Sequence, residues 1–152
     1  MNNPIEIIDL MARNEILISD LYLTYAELFP KLGGFWADLA DDEKHHAEWL
    51  KQLKSPFLEH TGTISVRFSA NTLEAYGVYL EKQCTLAKSR KINLAKAITT
   101  SLYIEKSLIE NRFFEIFEGR SQEWTEVKRD LIAETRIHLA KMQQMAKENN
   151  LQ

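Results

Sequence analysis

Apolar residues recur at steps of three and four along most of this chain, and that spacing is the period of an α-helix. The first periodic segment follows Asn3, a favourable N-cap, with Pro4 at the first helical position and Glu6 completing a capping box. It predicts a helix over residues 4–29. Because the 152 residues include only 5 glycines and 3 prolines, we expect few turns and few, long elements.

Three further periodic segments predict long helices. A short connection at residues 31–34 leads into the second helix, which should end before Ser55. Asn93 and Ser121 are the predicted caps of the third and fourth helices, because both residue types favour the position before a helix. The third helix should then run to about residue 118 and the fourth to about residue 149.

The first and second helices form one predicted hairpin, and the third and fourth helices form another. A long connection, residues 55–92, joins the two hairpins. It contains an extended β-branched stretch at 63–66 and a shorter helix with Asn71 as its predicted cap. A connection of 38 residues can cross the length of a bundle. We therefore predict an all-α fold with one domain over residues 1–152, a ferritin-like antiparallel four-helix bundle whose single long crossover carries a short extra helix. A plain up-down-up-down bundle is the competing topology, although it needs no such connection.

Composition argues against several classes of protein. Hydrophobic residues make up 45% and charged residues 27%, which is typical of a folded globular chain. No apolar run approaches the length of about 18 residues that a membrane span needs, and no signal peptide is recognisable. A net charge of −3 argues against a nucleic-acid partner. The lone Cys84 cannot form an internal disulfide, which favours a reducing, cytoplasmic location.

Each of the four long helices carries ionisable residues on its apolar stripe, where core is expected. A single such residue is more simply interpreted as lying at the edge of the bundle. Several converging carboxylates are costly to bury without a partner or a metal ion, and carboxylate and imidazole together are ligands of Fe, Mn or Zn. The residues that converge in this way are Glu15, Glu43, His46, Glu105 and His138.

The two hairpins also share a spacing. Glu15 precedes Glu43 by 28 residues, and Glu105 precedes Glu134 by 29. Glu43-x-x-His46 places both of its side chains on one face of the second helix, one turn apart. The sequence therefore predicts a pseudo-repeat, with a single Glu on the first helix of each hairpin and a Glu/His pair on the second.

With these residues the chain resembles the rubrerythrin/ferritin-like di-iron carboxylate superfamily over nearly its whole length. The matching stretches are residues 14–26, 41–50, 104–117 and 131–139. The resemblance implies two bound Fe ions, with Mn or Zn as alternatives, that react with peroxide or dioxygen in a peroxidase-like oxidoreductase. It also implies that Tyr22 hydrogen-bonds a ligand as a catalytic residue. The implied metal ligands are Glu15, Glu43, His46, Glu105, Glu134 and His138.

The chain departs from the family's pattern at several places. Thr135 stands three residues before His138, where the pattern has Glu, and Glu134 lies one position earlier. Leu108 replaces a frequent second Glu of the third helix, and Arg112 on the inner side would replace a metal ion's charge. No Cys-x-x-Cys pair is present, so electrons would come from a separate donor protein.

Two alternatives to the peroxidase-like function therefore remain open. One is iron oxidation and handling, and the other is a non-catalytic bundle whose metal site has partly decayed, with one or both metal positions empty. Exposed apolar residues are also expected at Trp49, Phe114 and Phe117, and they predict a homodimer of the kind that rubrerythrin-like proteins form.

Overall fold

The computed structural model describes residues 3–55, 62–64, 70–110, 117–119 and 122–151. This part of the chain is helical apart from two three-residue strands, so the all-α class is confirmed at that level. In chain order the elements are α1 (Pro4–Leu28), a 3-10 turn (Pro30–Leu32), α2 (Gly33–Gln52), β1 (Gly62–Ile64), α3 (Ala70–Lys88), α4 (Leu94–Glu110), β2 (Phe117–Gly119) and α5 (Gln122–Glu148).

Helices α1 and α2 form the first hairpin. The Asn3 side chain accepts a hydrogen bond from the Ile5 amide at 2.9 Å, as expected of an N-cap. The 3-10 turn then reverses the chain within three residues. Ser19 Oγ donates to the Ala40 carbonyl at 2.8 Å, and Glu15 lies 4.0 Å from His46, so α2 runs back along α1.

The long connection brings α3 alongside α1. Asn14 Nδ2 donates to the carbonyl of Leu73 at 3.1 Å, and Cys84 Sγ lies 3.5 Å from the carbonyl of Leu17. Both contacts advance in the same direction along the two helices, so α3 runs parallel to α1. The predicted helix within the crossover is confirmed, with Leu73, Leu80, Cys84 and Ala87 buried.

The second hairpin packs against the first. Trp124 Nε1 at the start of α5 donates to the carbonyl of Leu53 just after α2, at 3.1 Å. Further along, His138 on α5 meets Asp42 on α2, which makes these two helices antiparallel. Helix α4 packs on α5 and reaches α1 through the Tyr22–Glu105 hydrogen bond. These contacts are compatible with a helical bundle, and the ferritin-like arrangement of its helices stays a prediction.

One end of α4 differs from the prediction. The helix is described to Glu110, whereas the sequence predicted helix to about residue 118. Residues Phe117–Gly119 instead form β2, which pairs antiparallel with β1 so that Ile64 faces Phe117 across the ladder. The segment 113–117 is rich in aromatic and β-branched residues, which suit a strand as well as a helix.

The predicted helix caps had different outcomes. Asn93 is confirmed, because its Oδ1 accepts a hydrogen bond from the Lys96 amide at 2.8 Å. Asn71 was wrong as a cap, because α3 already includes Ala70, a strong helix former. The predicted cap Ser121 lies outside the described residues, as do Arg112 and Phe114.

None of the described helices combines the length and the hydrophobicity that a membrane crossing requires.

Candidate metal centre

The first helix of each hairpin places one carboxylate in the core. Glu15 lies one turn from Met11 and from Ile18 on the buried face of α1, so its side chain points inward with them. Glu105 occupies the corresponding buried face of α4. The exposed fractions of the two residues are 2% and 0%, which means that water cannot solvate either charge.

Glu43 on α2 joins these carboxylates to two histidines. Its Oε2 lies 3.0 Å from His46 Nδ1, and its Oε1 lies 2.9 Å from His138 Nδ1. Glu15 Oε2 is 4.0 Å from His46 Nδ1, and Glu105 Oε1 is 3.7 Å from His138 Nδ1. Each oxygen of Glu43 therefore serves a different imidazole.

These contacts form two groups that share one residue. The first group consists of Glu15, Glu43 and His46, and the second of Glu43, Glu105 and His138. In each group one potential ligand atom per residue lies within 4.8 Å of the others. Such a pair of nitrogen and oxygen donor sets, bridged by a common carboxylate, could hold two neighbouring metal ions.

The two imidazoles are held from outside by a second pair of acids. The rings of His46 and His138 stack with centroids 5.5 Å apart and an interplanar angle of 24°. His46 Nε2 lies 3.2 Å from a carboxylate oxygen of Glu134, and His138 Nε2 lies 3.0 Å from one of Asp42. Metal-binding histidines commonly place their outer nitrogen against a carboxylate in this way, which fixes the orientation of the ring.

Each outer acid contacts the histidine of the other helix. Asp42 on α2 holds His138 on α5, and Glu134 on α5 holds His46 on α2. Each acid also precedes the histidine of its own helix by four residues. The pseudo-repeat is therefore Asp42/His46 and Glu134/His138, a pairing that the sequence analysis missed because it assigned Glu134 to the inner ligand set and left Asp42 aside.

Thr135 occupies the position that corresponds to Glu43 in this pseudo-repeat, one residue after the outer acid. Its side chain is buried, and its hydroxyl donates to the carbonyl of Leu131 at 2.7 Å. The Thr135 hydroxyl thus has its hydrogen-bond partner within its own helix. The centre contains one shared carboxylate, Glu43, where a symmetric arrangement would contain two.

Burial changes the protonation of the carboxylates. It raises the pKa of Glu105 to about 7, with the charge of Glu43 adding to the effect. Burial and the neighbouring Glu43 also raise the pKa of Glu15 well above its usual value. For Glu43, hydrogen bonds from Glu15, His138 and His46 outweigh burial and hold its pKa well below the usual range. Glu43 is therefore the acid that carries the charge.

The histidines carry the opposite charge. Burial by itself would lower the pKa of each ring, but hydrogen bonds to Glu134 and Glu43 raise the pKa of His46 to about 9. Hydrogen bonds to Glu105 and Glu43 raise the pKa of His138 to about 11. At neutral pH both rings hold protons, and an incoming metal ion must displace them.

Tyr22 is bound to this network. Its hydroxyl donates to Glu105 Oε1 at 2.8 Å, and burial together with Glu105 and Glu43 raises its pKa well above 10. The phenol therefore stays protonated and positions one oxygen of Glu105. Its catalytic role stays a prediction.

Two oxygens of the centre are unsatisfied. Among the described residues, Glu15 Oε2 and Glu105 Oε2 are buried without a hydrogen-bond partner. A buried polar atom without a partner costs about 1–3 kcal/mol, so each is a place where a cation would add stability. One such oxygen belongs to each of the two groups.

His45 and Trp49, both on α2 beside the centre, differ in exposure. His45 points to solvent, in agreement with its spacing. Trp49 was expected to be exposed, but it is half-buried, and its ring centroid lies 5.5 Å from that of His46. The reason is that Trp49 follows His46 by three residues and so lies one turn along the same side of α2.

Comparison with known proteins gives no family. A scan against protein-family models, a search of curated proteins and a search of solved structures each find no match. The resemblance to rubrerythrin-like proteins therefore stays a prediction from the residues quoted above.

Proposed function

We propose that this protein is a non-haem di-metal protein, with iron as its metal and a rubrerythrin-like redox function. The observation that carries the proposal is that two buried ligand groups share Glu43, with one Glu43 oxygen facing each imidazole. Three carboxylates and two histidines are a donor set that suits Fe, Mn or Zn. The two unpartnered carboxylate oxygens support the same interpretation.

In this proposal seven residues would hold or orient the ions. Glu43 would be shared by the two positions, with Glu15 and His46 completing the first position and Glu105 and His138 the second. Asp42 orients His138 from outside, because its carboxylate faces the outer nitrogen of that ring. Glu134 orients His46 from outside, because its carboxylate faces the outer nitrogen of that ring. This assignment replaces the direct ligand role that the sequence pattern gave to Glu134.

Bound iron would supply electron transfer to peroxide or dioxygen, the reaction class that the resemblance implies. The chain's own residues set the conditions for that chemistry. Tyr22 keeps a proton at its hydroxyl and holds Glu105, and the buried core excludes bulk water. Electrons would come from a separate donor protein in the cytoplasm. Iron oxidation and handling is the alternative use of the same centre.

A second candidate function is a metal-free structural bundle. Hydrogen bonds and ion pairs already join His46 and His138 to three carboxylates, so the charges of the rings are compensated without an ion. Paired charges of this kind can be held inside a fold without a metal ion. Thr135, which removes one potential ligand, favours this reading.

Metal analysis distinguishes the two candidates. The protein would be purified without chelators and then titrated anaerobically with Fe²⁺ and, separately, with Mn²⁺ in a calorimeter. We expect two ions per chain, followed by a change in absorbance when peroxide is added to the iron form. Absence of binding of either ion at millimolar concentration would favour the metal-free network.

A further inference from the structure

A small cavity lies beside the candidate metal centre, lined by side chains of α1, α3 and α4. Its volume is about 10 Å³, and its walls include Asn14, Glu15, Leu73 and Leu108. A cavity of this size has room for one molecule of about the size of water. Glu15 lies in the wall and in the first metal group at the same time, so the cavity adjoins that metal position.

Two buried polar atoms of the wall have no hydrogen-bond partner in the described part of the chain. Asn14 and Glu15 are 4% and 2% exposed, and neither Asn14 Oδ1 nor Glu15 Oε2 has a hydrogen-bond partner among the residues described. Asn14 Nδ2 is already used, because it donates to the Leu73 carbonyl. Asn14 Oδ1 is an amide oxygen that can only accept hydrogen bonds, so a molecule that binds it must donate one.

The remaining wall sets the other properties of that molecule. Leu73 and Leu108 contribute apolar surface, together with other side chains of α1, and Tyr76 of α3 adds its phenol. An anion would meet the amide oxygen of Asn14 and the carboxyl oxygen of Glu15 there, and dioxygen has no hydrogen to donate. The cavity thus suits a small, neutral hydrogen-bond donor.

We propose that the cavity binds one water-sized neutral donor, water itself in the resting protein, between Asn14 Oδ1 and Glu15 Oε2. We further propose that the metal centre receives its solvent ligand from this side, past the crossover helix. The statement about the solvent ligand of the metal rests on the proposed function, whereas the statement about the cavity does not. Asn14 is then the residue that selects the ligand, and Leu108 limits its size.

The binding site can be tested on the metal-free protein. Water-selective Overhauser spectroscopy on leucine-methyl-labelled protein should show a long-lived water beside Leu73 and Leu108. Asn14→Leu removes the acceptor and should abolish the water signals at both leucines. Leu108→Phe fills the space and should abolish the signal at Leu73. Ser19→Ala, which removes a buried hydroxyl of α1 bonded to Ala40, is the matched control and should keep them. Absence of the signals in wild type, or their survival in whichever cavity variant folds, would overturn the site.

The route to the metal is tested with Mn²⁺. In the Mn²⁺-loaded protein, Leu108→Phe should reduce the relaxation of bulk water protons by the ion, while metal content stays equal to wild type. Equal relaxation in both proteins would show that solvent reaches the ion elsewhere. If Mn²⁺ does not bind at all, the proposed function fails, and the experiment on the metal-free protein still decides whether the cavity holds a donor.

Discussion

At the scale of single residues, Glu43 has the largest influence on the centre. It is the acid with a lowered pKa, and it contacts both imidazoles through different oxygens. Glu15 and Glu105, by contrast, each contribute to one group and have raised pKa values. A change at Glu43 should therefore affect both metal positions, whereas a change at either of the others should affect one.

The variant Glu43→Gln tests this difference. The amide keeps the volume but removes the negative charge that the two ions would share, so we expect binding of both ions to be lost in calorimetric titration. Glu48→Gln, an exposed change on the same helix, is the control and should bind as wild type does. Two ions bound to the Glu43→Gln protein would contradict the ligand assignment.

The histidines predict how the stability of the metal-free protein depends on pH. Their folded-state pKa values, about 9 for His46 and about 11 for His138, lie above the usual value of about 6.5. Protonated rings therefore stabilise the fold fully below pH 6.5, and this contribution is lost as pH rises through 9 and towards 11. The raised pKa of Glu105 acts in the same direction.

We therefore expect the melting temperature of the metal-free protein to fall between pH 6.5 and 9.5, as followed by circular dichroism. The His46→Gln variant provides the comparison, because it lacks one of the titrating rings and should show a smaller fall. A melting temperature that rises over this interval would contradict the charge assignment.

At the scale of elements, the sequence predicts the helices better than their ends. The bounds of α1 and α5 follow from the apolar period and, for α1, from its cap and proline, because these signals are local. Helix α2 already includes Gly33 and Gly34, which the sequence predicted as part of a connection. The strand at Phe117–Gly119 was not predicted, because its pairing with β1 joins residues far apart in the chain.

The inner residues of the centre were predictable because their signals are also local. Glu15, Glu43, His46, Glu105 and His138 interrupt apolar stripes, and such an interruption is visible within one helix. The outer contacts of Asp42 and Glu134 depend on how α2 and α5 face each other. The available signal was that each acid precedes a histidine by four residues, which became meaningful only when both helices were compared.

The α2–α5 contact gives a third prediction. Asp42→Asn replaces a charged partner of His138 by a neutral one, so the ring should orient less firmly and donate less strongly to a metal ion. We expect metal affinity to fall by about 10- to 100-fold at one position, with the fold retained. The neighbouring Asp41→Asn, at an exposed position, should leave affinity unchanged. Equal affinities of the two variants would argue against an orienting role for Asp42.

At the scale of the whole molecule, metal binding and folding should be linked. An ion that binds the folded chain alone stabilises it by about 2.7 kcal/mol when its concentration is 100 times its dissociation constant. We expect the melting temperature to rise with added Mn²⁺ and to return to its starting value with a chelator. A melting temperature that does not respond would support the metal-free network.

The homodimer also stays a prediction at this scale. Its original support is weaker, because Trp49 is half-buried, and Phe114 lies outside the described residues. Light scattering at micromolar concentration should give a mass of twice one chain if the prediction holds. A mass of one chain, 17.7 kDa, would exclude it under those conditions.

The exchange of outer acids between α2 and α5 has a consequence for how the molecule could be divided. A peptide that contained the first hairpin alone would carry His46 without Glu134, and a peptide of the second would carry His138 without Asp42. Each half would lack the outer carboxylate of its own imidazole. Two separately made halves should therefore recover aligned rings only on association, so that the chemistry of the centre would report reassembly of the chain.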